Sequence, residues 1–158
     1  MKSNHILSLV NYLEEKIRLL GDYKKVTEKM VDSNLEVITE LIAQRQLIIL
    51  EVDKITNQIF EIVEIQPKDS QLALKEILSF RKNNCGIKFA EIKNKAEILE
   101  KTLVEISYKE KDVALKMEAL KEELEEEMLK SNKGKQIIDY CNSFATFNMN
   151  GNSFNAVT

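Results

Sequence analysis

Side chains able to carry acid–base, nucleophilic or metal chemistry are few in this chain. It has one histidine, His5, and two cysteines, Cys85 and Cys141. A di-iron site in a helical bundle needs inward-facing Glu-x-x-His pairs, and one histidine cannot supply them. The cysteines form no Cys-x-x-Cys pair, so a zinc site or a disulfide framework is not indicated, although a single bridge stays open. A cysteine nucleophile also needs a base beside it, and the single histidine gives no pairing that the sequence can support. We therefore expect no enzyme, no metal and no cofactor.

Phosphate and nucleic-acid binding are also disfavoured by the sequence. There is no Gly-x-x-x-x-Gly-Lys-Ser/Thr loop, and the Lys133-Gly134-Lys135 stretch is better explained as the end of a helix with cations near it. The formal net charge is −3, and basic and acidic residues alternate along the chain. A duplex binder normally carries a basic face, so we expect no nucleic-acid partner.

Two charged residues interrupt otherwise apolar helical stripes. Glu110 falls on a long apolar seam, and Arg45 falls on the apolar stripe of an earlier segment. The two could pair across the interior and set the register of the helices. Alternatively, both could lie at the edge of the core and reach water.

The elements that must position these residues are helices. A chain of 158 residues is long enough for one domain with a core, and four glycines and one proline are too few for the turns of a sheet protein. The apolar run near the N-terminus is soon interrupted by charge, and is too short for a signal peptide or a membrane span. Together with the cysteine usage, this leads us to expect a cytoplasmic protein that does not contact membranes.

Apolar residues spaced three and four apart predict the individual helices. The first is expected over residues 4–20, before Gly21, and the second over residues 22–65, before Pro67. A shorter helix is expected over residues 70–82, capped by Asp69 or Ser70.

The longest seam predicts a coiled-coil-type helix in the second half of the chain. Its successive a and d positions are Cys85, Phe89, Ile92, Ala96, Leu99, Leu103, Ile106, Glu110, Val113, Met117, Leu120 and Leu124. The predicted class is all-α: an antiparallel helical hairpin or bundle with long coiled-coil-like helices over residues 1–130. Seams of this length also make a homodimer a live alternative.

The last segment, residues 131–158, has a different composition. It holds only three charged residues but six asparagines and three of the six phenylalanines. We expect a short helix followed by a flexible Asn- and Phe-rich tail.

One stretch resembles a known family. Residues 19–55 are similar to the N-terminal half of FlgN/FliT-type flagellar export chaperones, in which a polar break like Asp32-Ser33-Asn34-Leu35 precedes apolar pairs like Leu41-Ile42 and Ile48-Ile49 that flank an Arg like Arg45. The resemblance implies a chaperone without ATPase activity. It would bind the terminal helix of a hook–filament junction or filament cap protein, keep it unpolymerised, and deliver it to the export apparatus. The extension after Tyr140 departs from the family.

The candidate partner-binding residues are apolar side chains near the C-terminal end. They are expected to grip a client helix, or to cover the groove until a client displaces them. The alternative is that residues 136–147 finish the core and that residues 148–158 are a disordered tail. A structural or adaptor coiled coil that acts by oligomerising is the alternative function. The candidates are Met117, Leu120, Leu124, Met128, Leu129, Ile137, Ile138, Tyr140, Phe144 and Phe147.

Overall fold

The computed structural model describes residues 2–81, 86–130, 137 and 139–144, and within these ranges it is helical with no strand. Residues 139–144 and Ile137 are also helical. The predicted all-α class is confirmed. The helices of the bundle are α1 (Lys2–Val31), α2 (Leu35–Glu64), the short α3 (Lys68–Leu78) and α4 (Ala90–Met128).

The boundary between the first two helices corrects the sequence prediction. Helix α1 continues through Gly21 and ends at Val31, so the helix predicted over residues 22–65 is divided. The break falls at the polar residues before Leu35, where the Asn34 side chain accepts a hydrogen bond from the backbone N–H of Val37 at 3.0 Å. Glycine lowers helix propensity but leaves the helical hydrogen bonds intact, whereas an Asn cap satisfies a donor that a helix start leaves free. The bundle therefore has three long helices, where two were predicted.

At the boundary between α2 and α3, the end of α2 was predicted correctly, but the cap of α3 was not. Helix α2 ends at Glu64 before Pro67, as expected. Helix α3 begins directly after Pro67 with no side-chain cap, so the predicted caps at Asp69 or Ser70 are wrong. It ends at Leu78, four residues earlier than predicted, and Phe80 follows with a positive φ of 64°. A left-handed backbone at this position cannot continue an α-helix, and the Phe80 side chain packs against the core.

Helix α1 lies at the centre of the bundle. It packs along both α2 and α4, while α3 bridges α2 and α4 at one end. The core at that end includes Leu13, Leu20, Ile59, Leu74 and Leu99. The predicted seam of α4 is confirmed within the described residues, and Cys85 lies outside them. Buried on it are Phe89, Ile92, Ala96, Leu99, Ile106, Val113 and Met117.

A second core, here called the C-terminal cluster, lies at the opposite end, where α1 turns into α2. All three long helices contribute to it, and so does the helical segment at residues 139–144. Its buried members are Val26, Met30, Ile38, Leu41, Val113, Met117, Cys141 and Phe144.

Candidate helix-binding site at the C-terminal cluster

The helical segment at residues 139–144 is seated on the C-terminal cluster by two side chains. Phe144 is 4% exposed and Cys141 is equally well buried. Tyr140 packs against the same cluster, and Ile137 is half-buried. The bundle-facing residues of this short segment are therefore spaced three and four apart, as expected for an amphipathic helix on an apolar surface.

The predicted residues of α4 divide into a buried group and an exposed group. Met117 belongs to the cluster, and Leu120 and Leu124 pack against it. Met128 is exposed, and Leu129 is 90% exposed. The structure thus brings Met117, Leu120 and Leu124 together with the C-terminal segment, whereas Met128 and Leu129 lie past the cluster. Ile138 and Phe147 fall outside the described residues.

The end of α4 extends past its packing partners. This helix has 39 residues and spans about 58 Å, whereas α1 and α2 have 30 residues each and span about 45 Å. Every side chain over residues 125–130 is exposed. The acidic residues in the last two turns are Glu122, Glu123, Glu125, Glu126 and Glu127. The apolar surface therefore borders a strongly acidic helix end.

One polar group makes the seating of the C-terminal segment imperfect. The Tyr140 hydroxyl is buried and finds no hydrogen-bond partner among the described residues. Burying an unsatisfied hydroxyl costs about 1–3 kcal/mol, which offsets part of the gain from the apolar contacts of Cys141 and Phe144. The segment is consequently held less firmly than its buried area alone would indicate.

The thiol in this segment is not a reactive group. Burial raises the pKa of Cys141, and the positive charge of Lys121 only partly opposes this effect. A raised pKa lowers the thiolate fraction near neutral pH, and the thiolate is the nucleophile. Cys141 is therefore a small apolar contact in this site.

A buried polar cluster lies between the two cores. Arg45 Nη1 lies 2.9 Å from Glu110 Oε1, so the predicted pairing of these residues is confirmed, and the alternative that both reach water is wrong for Arg45. The Tyr23 hydroxyl donates to Glu110 at 2.8 Å, and Arg45 donates to the Thr27 hydroxyl at 3.2 Å. The guanidinium also stacks over the Tyr23 ring at 4.7 Å.

Sequence reasoning missed Tyr23 and Thr27. Their signal is their spacing, because residues four apart lie on one face of a helix and both are polar on the buried side of α1. Burial raises the pKa of Tyr23 first, and Glu110 raises it further through charge and the hydrogen bond, while Arg45 opposes both. Tyr23 thus stays a neutral donor to the carboxylate.

The described residues hold no group of His, Cys, Asp and Glu side chains that could bind a metal ion. None of their helices has an apolar stretch long enough to cross a bilayer. The chain matches no family model, no curated protein and no solved structure. What this protein does is therefore inferred from the surfaces described above.

Proposed function

We propose that this protein is a helix-binding export chaperone of the FlgN/FliT kind, which holds the terminal helix of a flagellar axial protein. The observation that carries the proposal is the helical segment at residues 139–144, seated on an apolar cluster by Cys141 and Phe144. A surface that accepts this amphipathic segment offers the contacts that an amphipathic client helix needs. In this proposal the segment is a cover that the client displaces.

The proposed client helix is apolar on one face and basic beside it. Cys141 and Phe144 would be replaced by two apolar side chains one turn apart, which is the spacing that this cluster already accommodates. The neighbouring glutamates of α4 favour lysine or arginine on the client and disfavour an acidic one. Met117 can repack around side chains of different shape because methionine is unbranched and flexible, and Leu120 packs against the same cluster.

Displacement is feasible because the segment has a built-in disadvantage. Tyr140 buries a hydroxyl without a partner, and a client that leaves this hydroxyl in water recovers that cost. The exposed Met128 and Leu129 would add contacts that the segment itself does not use. The location that goes with this role is the cytoplasm, where clients await export.

The test is a calorimetric titration with the terminal helix peptide of a hook–filament junction protein from the same organism. We expect saturable binding to the full chain and tighter binding to a chain truncated after Leu129, because truncation removes the cover. A peptide with its apolar face changed to serine is the matched control. Absence of binding to both chains would reject the proposal, and loss of binding on truncation would make the segment the grip.

A structural coiled coil is the second candidate, and a different surface favours it. On the outer face of α4, Val104, Tyr108 and Leu115 are exposed at spacings of four and seven residues. This stripe could pair with a second copy. Light scattering of the purified protein distinguishes the two functions. A stable dimer that Leu115→Lys dissociates would favour the coiled coil, and a monomer would favour the chaperone.

A further inference from the structure

The buried pair of Arg45 and Glu110 has hydrogen-bonding capacity left over. The two groups meet at one atom each, Nη1 and Oε1, and the same two atoms also take the hydrogen bonds with Thr27 and Tyr23. Arg45 Nε and Nη2 and Glu110 Oε2 are buried and have no partner among the described residues. Because the two groups are joined, their remaining atoms are neighbours. The pair therefore offers free donors and a free acceptor to one further group.

The charges of the pair restrict what this further group can be. A carboxylate would accept from Arg45 but would bring a second negative charge to Glu110, and an ammonium group would repel Arg45. The group should therefore be neutral, with an acceptor for the guanidinium and a donor for the carboxylate. A side-chain carboxamide carries both on one planar group. Asparagine and glutamine are thus the side chains that fit this pair.

The free groups adjoin the C-terminal cluster. Glu110 precedes Val113 by three residues on α4, and Arg45 follows Leu41 by four residues on α2. Val113 and Leu41 are both buried in the cluster, and these spacings place side chains one turn apart on one helix face. The Glu110 side chain is 21% exposed, so the pair reaches the surface of the bundle beside the cluster.

The helical segment at residues 139–144 runs toward this pair. Helix α4 ends at Met128, past the cluster, yet Phe144 is buried in the cluster with Val113. Helices joined by a short connection are usually antiparallel neighbours, so the segment runs back along α4. The positions that follow Phe144 are accordingly on the side of Glu110, away from the end of α4.

The sequence has a carboxamide at the position that this direction selects. Cys141 and Phe144, which seat the segment, are three residues apart, and the same helix face comes round again four residues later at Asn148. Asn148 lies outside the described residues. One turn beyond Phe144 on the segment matches one turn beyond the cluster on α4, which is where the polar pair lies.

We propose that the polar pair is a carboxamide-binding site and that its occupant is Asn148. The helix of residues 139–144 continues for one more turn, the Asn148 oxygen accepts from Arg45, and its amino group donates to Glu110 Oε2. The pair is then a second anchor for the C-terminal segment. A client helix that displaces the segment has to break these hydrogen bonds or bring a carboxamide at the same spacing, and this consequence alone rests on the proposed function.

The experiment measures hydrogen exchange at the amides of residues 139–144 in the full chain. Asn148→Asp keeps the shape of the side chain, removes the donor and adds a carboxylate beside Glu110. We expect it to speed exchange about tenfold, because hydrogen bonds to charged groups are the stronger ones. Asn150→Asp makes the same chemical change about half a turn away and should alter the rates by less than about twofold.

A second background tests the partner directly. Glu110→Gln removes the negative charge and leaves that of Arg45, so a carboxylate on the segment becomes favourable there. In this background Asn148→Asp should slow exchange of residues 139–144, the reverse of its effect in the wild type. An effect of the same sign in both backgrounds would overturn the proposal, since Asn148 would then act away from the polar pair.

Two outcomes in the wild-type background would also overturn it, without need of the Glu110 variant. If Asn148→Asp left the exchange rates unchanged, the free groups of the pair would be bridged by water. If Asn150→Asp had the same effect as Asn148→Asp, the added charge alone would be the cause. No client takes part in these measurements, so failure of this inference is distinguishable from failure of the proposed function.

Discussion

The guanidinium of Arg45 and the carboxylate of Glu110 join α2 to α4 inside the bundle, with 2.9 Å between Nη1 and Oε1. The hydrogen bonding of this pair is incomplete. Arg45 Nε and Nη2 and Glu110 Oε2 are buried without partners among the described residues. Buried ion pairs with unsatisfied groups add little net stability, so we expect the pair to act mainly by fixing how α2 aligns with α4.

Replacing each member of this pair by leucine should have unequal effects. Glu110→Leu leaves the Arg45 charge in the core, where the side chain is 2% exposed, and should lower the free energy of unfolding by about 3–5 kcal/mol. Arg45→Leu should cost less, about 1–3 kcal/mol, because Glu110 is 21% exposed and keeps the Tyr23 hydrogen bond. The double variant should be close to the wild type in urea unfolding.

The matched control is the exposed pair of Glu51 and Lys54 on α2, whose atoms lie 3.2 Å apart. Leucine at these two positions should show a coupling energy below about 0.5 kcal/mol, because water screens the pair. Additive effects at Arg45 and Glu110 would mean that the two charges do not depend on each other.

Gly21 offers a stabilising substitution. It lies inside α1, and an added Cβ would meet no atom within 4 Å. Gly21→Ala should therefore raise the free energy of unfolding by about 0.5–1 kcal/mol through helix propensity. Thermal unfolding followed by circular dichroism measures this as a rise of about 1–4 °C.

Gly86 is the control for that substitution. Its φ is +65°, a conformation that costs an alanine about 1–2 kcal/mol. Gly86→Ala should consequently lower the melting temperature although its Cβ also has free space. If both substitutions changed stability in the same direction, backbone conformation would not be the cause.

The helical fold could be predicted from the sequence because apolar spacing is set by local geometry. The seam of α4 from Phe89 to Met117 follows directly from the three-and-four period. Helix ends were harder to predict, because Gly21 and Asn34 are both compatible with a break. Which of them ends a helix depends on where the facing helices can pack, and that is a tertiary property.

The environments of the buried charged residues depended even more on tertiary contacts. The pairing of Arg45 with Glu110 was open to prediction because each interrupts an apolar stripe, but the alternative at the edge of the core fitted the same pattern. Lys16 gave no signal, since a lysine one turn from Leu13 and Leu20 is ordinary at the border of a helix face. Only the positions of α2, α3 and α4 enclose it.

Lys16 should make stability depend on pH in the alkaline range. Its pKa is about 8 in the folded chain against an ordinary value of 10.5, so the unfolded chain binds more protons between these two values. The free energy of unfolding should accordingly rise as pH increases from about 8 to about 10.5, by up to about 3 kcal/mol. Urea unfolding at a series of pH values measures this slope.

Lys16→Met isolates that contribution from other groups that titrate in the same range. The variant should be more stable than the wild type at pH 7, and the difference should shrink as pH rises through the window. A constant difference at all pH values would show that folding does not lower the pKa of Lys16.

Phe144 distinguishes a displaceable cover from an integral part of the core. Changing a fully buried phenylalanine to alanine usually lowers the free energy of unfolding by about 3–5 kcal/mol. If residues 139–144 detach before the bundle unfolds, the cost cannot exceed the free energy that holds the segment in place. We therefore expect Phe144→Ala to lower stability by only about 1–2 kcal/mol, and truncation after Leu129 to cost no more than this.

Hydrogen exchange gives the same distinction without a substitution, since amides of a cover exchange faster than those of Val113 and Met117 beneath it. Leu129→Ala is the control, because that side chain is 90% exposed and its loss should change stability by less than about 0.5 kcal/mol. If Phe144→Ala cost about 4 kcal/mol and truncation unfolded the bundle, the segment would be a structural part of the core. The client helix could then not take the place of this segment. It would be limited to the exposed side chains Met128 and Leu129 at the end of α4.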